Sequence, residues 1–130
     1  MKIVIPMAGF GDRFVRAGYI DPKPLICVNG KRIIEYIYGM FNKDDEIVFI
    51  CNDMHLQSTN MRDVLTSIVP NSKILSIPTH KKGPAWTVLS TDMDSYMNDE
   101  EEVIICYCDN PYLWDYEHFK NWVKTRIKLV

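Results

Sequence analysis

Long apolar runs are missing from this chain. No stretch approaches the ~20 apolar residues that a membrane-crossing helix needs. Gly11, Asp12 and Arg13 also interrupt the apolar N-terminus too early for a secretory signal. A surplus of charge is missing as well, since 15 Lys and Arg stand against 17 Asp and Glu, a formal net charge of −2. A chain so balanced has no overall field to gather nucleic acid or an anionic membrane, so neither is an expected partner. Cysteine is sparse: Cys27, Cys51, Cys106 and Cys108 contain no CxxC pair, which excludes a disulfide scaffold and the common zinc motifs. Cys51 and Cys106 fall in apolar runs and read as small buried hydrophobes. The three histidines, His55, His80 and His118, show no HxxxH spacing. A soluble chain with free thiols is expected in the cytoplasm.

What is present is an ordinary globular mixture, 47% apolar and 25% charged, in 130 residues, the length of one domain. Short apolar runs alternate with helical periodicity. Ile3 to Ile5, Glu46 to Cys51, Lys73 to Pro78 and Glu102 to Cys108 read as strands. Their apolar residues are continuous rather than alternating, which predicts burial on both faces. Ile33, Ile34, Ile37, Tyr38 and Phe41 make a helical stripe, as do Met61, Val64, Leu65 and Ile68 near the end of a helix expected over 54–69. A further helix is expected over 83–97 with Ala85, Val88, Leu89 and Met93 inward. Tyr116, Phe119, Val123 and Ile127 mark a last one. Residues 6–24 read as a loop. The run Asp99 to Glu102 reads as a solvated turn. The order βαβαβαβα predicts an α/β fold: an open, mostly parallel, Rossmann-like sheet with helices on both faces.

In such a sheet, ligands bind beyond the carboxyl ends of the strands. The first such end carries Met7-Ala8-Gly9-Phe10-Gly11-Asp12-Arg13-Phe14. Glycines there allow a tight turn and expose amides to an anion, and Arg13 adds a planar fork suited to phosphate oxygens. Phe14 stands where the dinucleotide fingerprint needs its third glycine, and no GK[ST] follows, so both standard phosphate loops are excluded. Lys23 lies between Pro22 and Pro24, whose fixed φ stiffens the backbone beneath it. That placement suits an aimed lysine; taken alone, it more readily describes a rigid surface turn.

Taken together, AGFGDRF and DPKPL resemble the signature of the sugar-phosphate nucleotidyltransferases, the nucleotide-sugar pyrophosphorylases. The longer text IPMAGFGDRFVRAGYIDPKPLICVNGKRII is similar to the branch serving bacterial capsule and surface-polysaccharide biosynthesis. Gly83-Pro84-Ala85 resembles the family's Gly-x-Ala start of a base-recognition helix, and Cys108-Asp109-Asn110 its metal-binding acidic motif. The resemblance implies that Ala8, Gly9 and Gly11 bring backbone to a nucleoside triphosphate. It implies Arg13 on the β- and γ-phosphates, Lys23 at the α-phosphate and the incoming phosphate ester, Gly83 beneath the base, and Asp109 holding Mg²⁺. The implied partners are an NTP and a phosphorylated small-molecule acceptor, with homodimerisation left open.

Three departures accompany the resemblance. Cys108 replaces the glycine usual before the metal-binding acid, and Asp12 replaces the Ser or Thr usual before the arginine. The family also continues past the length of this chain with an acceptor-binding half, so residues 1–130 are expected to be the nucleotide-binding domain. Trp114, Phe119 and Trp122 are expected to border a face turned toward that half. Two other readings stand beside nucleotidyl transfer: a nucleotide-binding module with little turnover, and a nucleotide-sugar-dependent glycosyltransferase using Asp109.

Overall fold

A computed structural model describes residues 1–97 and 100–126. Its centre is a parallel four-stranded sheet in the order β5-β4-β1-β6, with β1 at Lys2–Met7, β4 at Glu46–Asn52, β5 at Lys73–Ile77 and β6 at Val103–Ile105. β1 pairs with β4 from Lys2 opposite Glu46 through Met7 opposite Cys51. On its other side it pairs with β6, Lys2 opposite Val103 through Val4 opposite Ile105. The expected open parallel α/β sheet is therefore present.

Burial follows position in the sheet. Every residue of β1, and all of β4 after Glu46, is buried, as continuous apolar text demands. Successive side chains divide between two cores. Ile3, Ile5, Ile47 and Phe49 face the side covered by α2 (Ile33–Tyr38), α4 (Met61–Ile68) and α6 (Tyr116–Arg126). Val4, Ala8, Val48 and Ile50 face the side covered by α5 (Pro84–Leu89) and the turn carrying Met93. Fully burying one such side chain contributes roughly 1.5–3 kcal/mol. The outer strands differ: β6 has one neighbour and Ile105 is exposed, so its apolar run does not signify burial on both faces.

Several boundaries differ from the sequence reading. The helix expected over 54–69 is two, α3 (Asp53–Ser58) and α4, because Thr59 is extended. The Ser58 and Thr59 hydroxyls donate to the Met54 and His55 carbonyls, drawing the backbone out of its ladder. The helix expected over 83–97 ends at Leu89, where Ser90 and Thr91 make the same kind of bond to Trp86 and Thr87. Thr87 faces inward, whereas Ala85 and Leu89 are exposed. A short helix α1 (Asp12–Arg16) lies in text read as loop, and a hairpin of β2 (Cys27–Val28) and β3 (Lys31–Arg32) lies in text assigned to no element. Glu101, read as solvated, pairs at 2.9 Å with the buried Lys2, while Asp99 lies outside the described residues, as does Ile127. Trp114 and Phe119 join Phe41 and Tyr116 in an aromatic cluster on the core, and Trp122 is exposed.

Candidate functional site

From β1 the chain adds β4 and β5 on one side and then crosses back to place β6 on the other, so the strand order reverses beside β1. Such a switch point opens a crevice at the carboxyl ends of the strands. Here a cleft of about 470 Å³ lies at that end. Ala8, Gly9, Gly11, Arg13, Lys23, Gly83 and Asp109 all line it. Every residue singled out from the sequence is thus brought to one place.

The β1–α1 loop forms the cleft's first wall. Gly11 has φ 67° and ψ 30°, a left-handed conformation that favours glycine. Its carbonyl accepts from the Phe14 and Val15 amides, which starts α1 and turns the loop. The amides of Gly9, Phe10 and Gly11 donate to no carbonyl among the described residues, leaving them open toward an anion. Arg13 is exposed and makes no ion pair among the described residues, so its guanidinium is available.

Lys23 opens a turn of 3₁₀ helix, Lys23–Leu25, anchored by buried Pro22, Pro24 and Leu25. The Leu25 amide donates to the Pro22 carbonyl at 2.8 Å, so the stiff backbone is fixed to the core. The lysine itself turns into the cleft. Its ammonium pairs with the Asp109 carboxylate and sits 4.9 Å from the Phe14 ring centroid. A rigid surface turn does not describe this geometry.

The far wall comes from the segment before α5. Gly83, at φ 86° and ψ 174°, again occupies backbone that other residues rarely adopt. A Cβ there would meet nothing within 4 Å, so its glycine answers conformation rather than crowding. His80 organises this segment. Its Nδ1 accepts from the Lys82 amide at 3.1 Å, which leaves Nε2 as the N–H facing Thr87 Oγ1 at 2.9 Å.

Sequence reasoning passed over His80, His55 and Lys81, all of which line the cleft. Burial holds the His55 imidazole below its usual pKa, and its Nδ1 is buried without a partner among the described residues. Lys81 pairs with Asp12 at 2.9 Å, and that contact holds the Asp12 carboxyl below the usual carboxylate range. The unusual acid at position 12 was the signal for it. Cys108, beside Asp109, is pushed up to about 12, first by burial and then by the neighbouring carboxylate. That shift keeps the thiol protonated at neutral pH.

A hard divalent cation is matched by carboxylate oxygen, and Asp109 supplies one such group in the cleft. Among the described residues no cluster of three potential ligands exists. The donor set therefore fits an ion shared between one carboxylate, phosphate oxygens and water, the manner in which Mg²⁺ is commonly held. No helix among the described residues is long and apolar enough to cross a membrane.

No protein-family model matches the sequence, and no curated protein does. Solved structures do. The nucleoside-diphosphate-sugar pyrophosphorylase of Vibrio cholerae RC9 aligns with TM-score 0.65 at 23% identity, over 90% of this chain and 52% of its own. HddC of Yersinia pseudotuberculosis aligns with TM-score 0.62 at 22% identity, over 94% and 53%. A UDP-glucose pyrophosphorylase complexed with UDP-glucose aligns with TM-score 0.61 at 14% identity, over 95% and 53%. This chain thus has the fold found in these three structures and spans about half the length of each.

Proposed function

We propose that the chain is the nucleotide-binding part of a nucleotidyltransferase. In the reaction, a phosphate oxygen of a small-molecule acceptor attacks the α-phosphorus of a nucleoside triphosphate. A new P–O bond forms, the bond to the β-phosphate breaks, and pyrophosphate leaves. The single observation that carries the reading is the convergence of Arg13, Lys23 and Asp109 on the crevice at the ends of β1 and β6.

Each residue has a task that its chemistry suits. Ala8, Gly9 and Gly11 present backbone to the nucleotide. Arg13 binds the β- and γ-phosphates and neutralises the leaving pyrophosphate. Lys23 leaves Asp109 for the α-phosphate, where negative charge is spread in the transition state. Gly83 lets the base approach the backbone. Asp109 holds Mg²⁺, which when bound adds charge neutralisation at the phosphates. Positioning and charge neutralisation are the main sources of catalysis in such transfers.

The fold likeness to pyrophosphorylases supports this class of reaction, and a sugar phosphate is the acceptor it favours. Surface-polysaccharide precursor synthesis in the cytoplasm is the matching setting. A binding module with little turnover is the second reading, favoured by the loop amides and by Arg13, unpaired among the described residues, which would hold phosphate whether or not an acceptor reacts. A glycosyltransferase has less support, because its donor releases no pyrophosphate to engage Arg13 and Lys23. The test is calorimetry with ATP, CTP, GTP, UTP and dTTP in Mg²⁺, followed by pyrophosphate release with a panel of sugar phosphates. Binding with release supports the transferase. Binding without release supports the module, and no binding rejects both.

A further inference from the structure

The proposed triphosphate site uses Arg13 and Lys23, and the fold brings a third cation to the same cleft. Lys81 Nζ lies 2.9 Å from Asp12 Oδ2 and 5.2 Å from the Phe10 ring centroid, and all three residues line the cleft. The next residue, Lys82, is engaged elsewhere, 4.0 Å from the centroid of Trp86, and neither of these two lines the cleft. Of two consecutive lysines, Lys81 is the one on the cleft side.

Stability does not account for the Asp12–Lys81 contact. The two side chains are 42% and 69% exposed, and ion pairs so open to water contribute little to folding. What the contact does is join the cleft's two lips, the loop after β1 and the segment before α5. It also cancels a carboxylate set between Gly11 and Arg13, where bare negative charge would repel phosphate.

We infer that Lys81 is a further triphosphate-binding residue, parked on Asp12 in the free protein and passed to a phosphate oxygen when a triphosphate enters. Asp12 is then its resting partner, the competitor that a triphosphate displaces. A lysine suits such a transfer, because its ammonium is a point charge with three donors on a flexible stem. Asp12 is not abandoned when Lys81 leaves, since Arg16 also lies close enough to attract it. The charge count agrees: three cations, Arg13, Lys23 and Lys81, face two carboxylates, Asp12 and Asp109, in the cleft. A polyanion drawing all three cations together would leave both carboxylates for other partners. The inference rests on the nucleotidyltransferase reading and names a group that reading lacks.

The test is a double-mutant cycle on the whole chain, with inorganic tripolyphosphate and AMP as calorimetric probes at fixed ionic strength. Circular dichroism checks that each variant is folded. Lys81→Ala is expected to weaken tripolyphosphate binding roughly tenfold in the wild-type background and also in an Asp12→Asn background. Asp12→Asn alone should tighten binding, Lys81→Arg should restore most of the loss, and AMP affinity should change little throughout. A loss from Lys81→Ala that vanishes in the Asp12→Asn background overturns the inference, because Lys81 then does no more than neutralise Asp12. Lys81→Ala without effect, while Arg13→Ala weakens binding, overturns the inference and leaves the functional reading standing. Failure of the wild-type chain to bind tripolyphosphate overturns both.

Discussion

Lys23 and Asp109 are each other's counter-ion across the cleft, although one precedes the β2–β3 hairpin and the other follows β6. Their side chains are 24% and 28% exposed, so the pair is neither a free surface contact nor a sealed internal one. Both groups have other work in the proposed reaction, one on phosphate and one on a divalent cation. Loading the site is therefore an exchange of partners, in which the attraction between them is replaced rather than simply lost.

The exchange predicts how Lys23→Ala behaves. Without its lysine, Asp109 loses a competitor for cations, so the nucleotide-free protein should bind Mn²⁺ more tightly than wild type. Asp109→Asn should abolish that binding. In a form that turns over, Lys23→Ala should lower the rate about 10²–10³-fold, the usual cost of one charge-stabilising group. Affinity for NTP should fall modestly, and Lys23→Arg should rescue little, because a planar fork does not fit where a compact ammonium does. Unchanged Mn²⁺ affinity in Lys23→Ala would remove the exchange.

Arg13 is predicted to act on the distal phosphates. Arg13→Ala should weaken triphosphate binding by ~1.5–3 kcal/mol, the range for a charge-assisted hydrogen bond. Monophosphate affinity should change less. Calorimetry with matched mono- and triphosphates decides it, and equal losses would move Arg13 away from the tail of the nucleotide.

The sheet was legible because its central strands are continuously apolar between their ends, a pattern that burial on both faces of a parallel sheet enforces. The first cleft wall was legible because Gly11, Arg13 and Lys23 lie close together in the chain. Lys81 and His55 were not, since each reaches the cleft through long-range packing that no local spacing records. Asp12 carried half of that information as a charge without an evident partner. The hairpin at Cys27–Val28 and Lys31–Arg32 was missed because its strands are two residues long. Leu89 was misplaced because a helix of six residues is oriented by its ends, here by Thr87 bonding to His80, rather than by its apolar stripe.

The thiols give a test of burial that is independent of activity. Cys51 and Cys108 are each pushed up to about 12, chiefly by burial, and burial also raises Cys106. Only roughly one thiol in 10⁴ is ionised four pH units below its pKa, so Cys51 and Cys108 should resist alkylation at pH 8. Cys27 is exposed and free. Titration of the native chain with a thiol reagent should show one fast group, with the other three reacting after denaturation. Rapid reaction of Cys108 would mean that the cleft floor opens.

His55 predicts a stability change with pH. Burial lowers its pKa below the ordinary 6.5, so the folded chain resists a proton that the unfolded chain accepts near that value. Below about pH 6.5 the unfolded state therefore binds more protons, and its free energy falls relative to the folded state. The sign follows: His55 costs no stability above its unfolded pKa, and stability is lost as pH falls through that value toward the lower folded one. Urea unfolding at pH 7.5, 6.5 and 5.5 should show wild type weakening across this window. His55→Gln should remove part of that slope, because glutamine does not titrate and the remaining histidines are common to both chains. The difference between the two curves isolates His55 from the other titrating groups. Parallel curves would mean that His55 is as free to charge in the folded chain as in the unfolded one, and that its imidazole is not held neutral at the cleft wall.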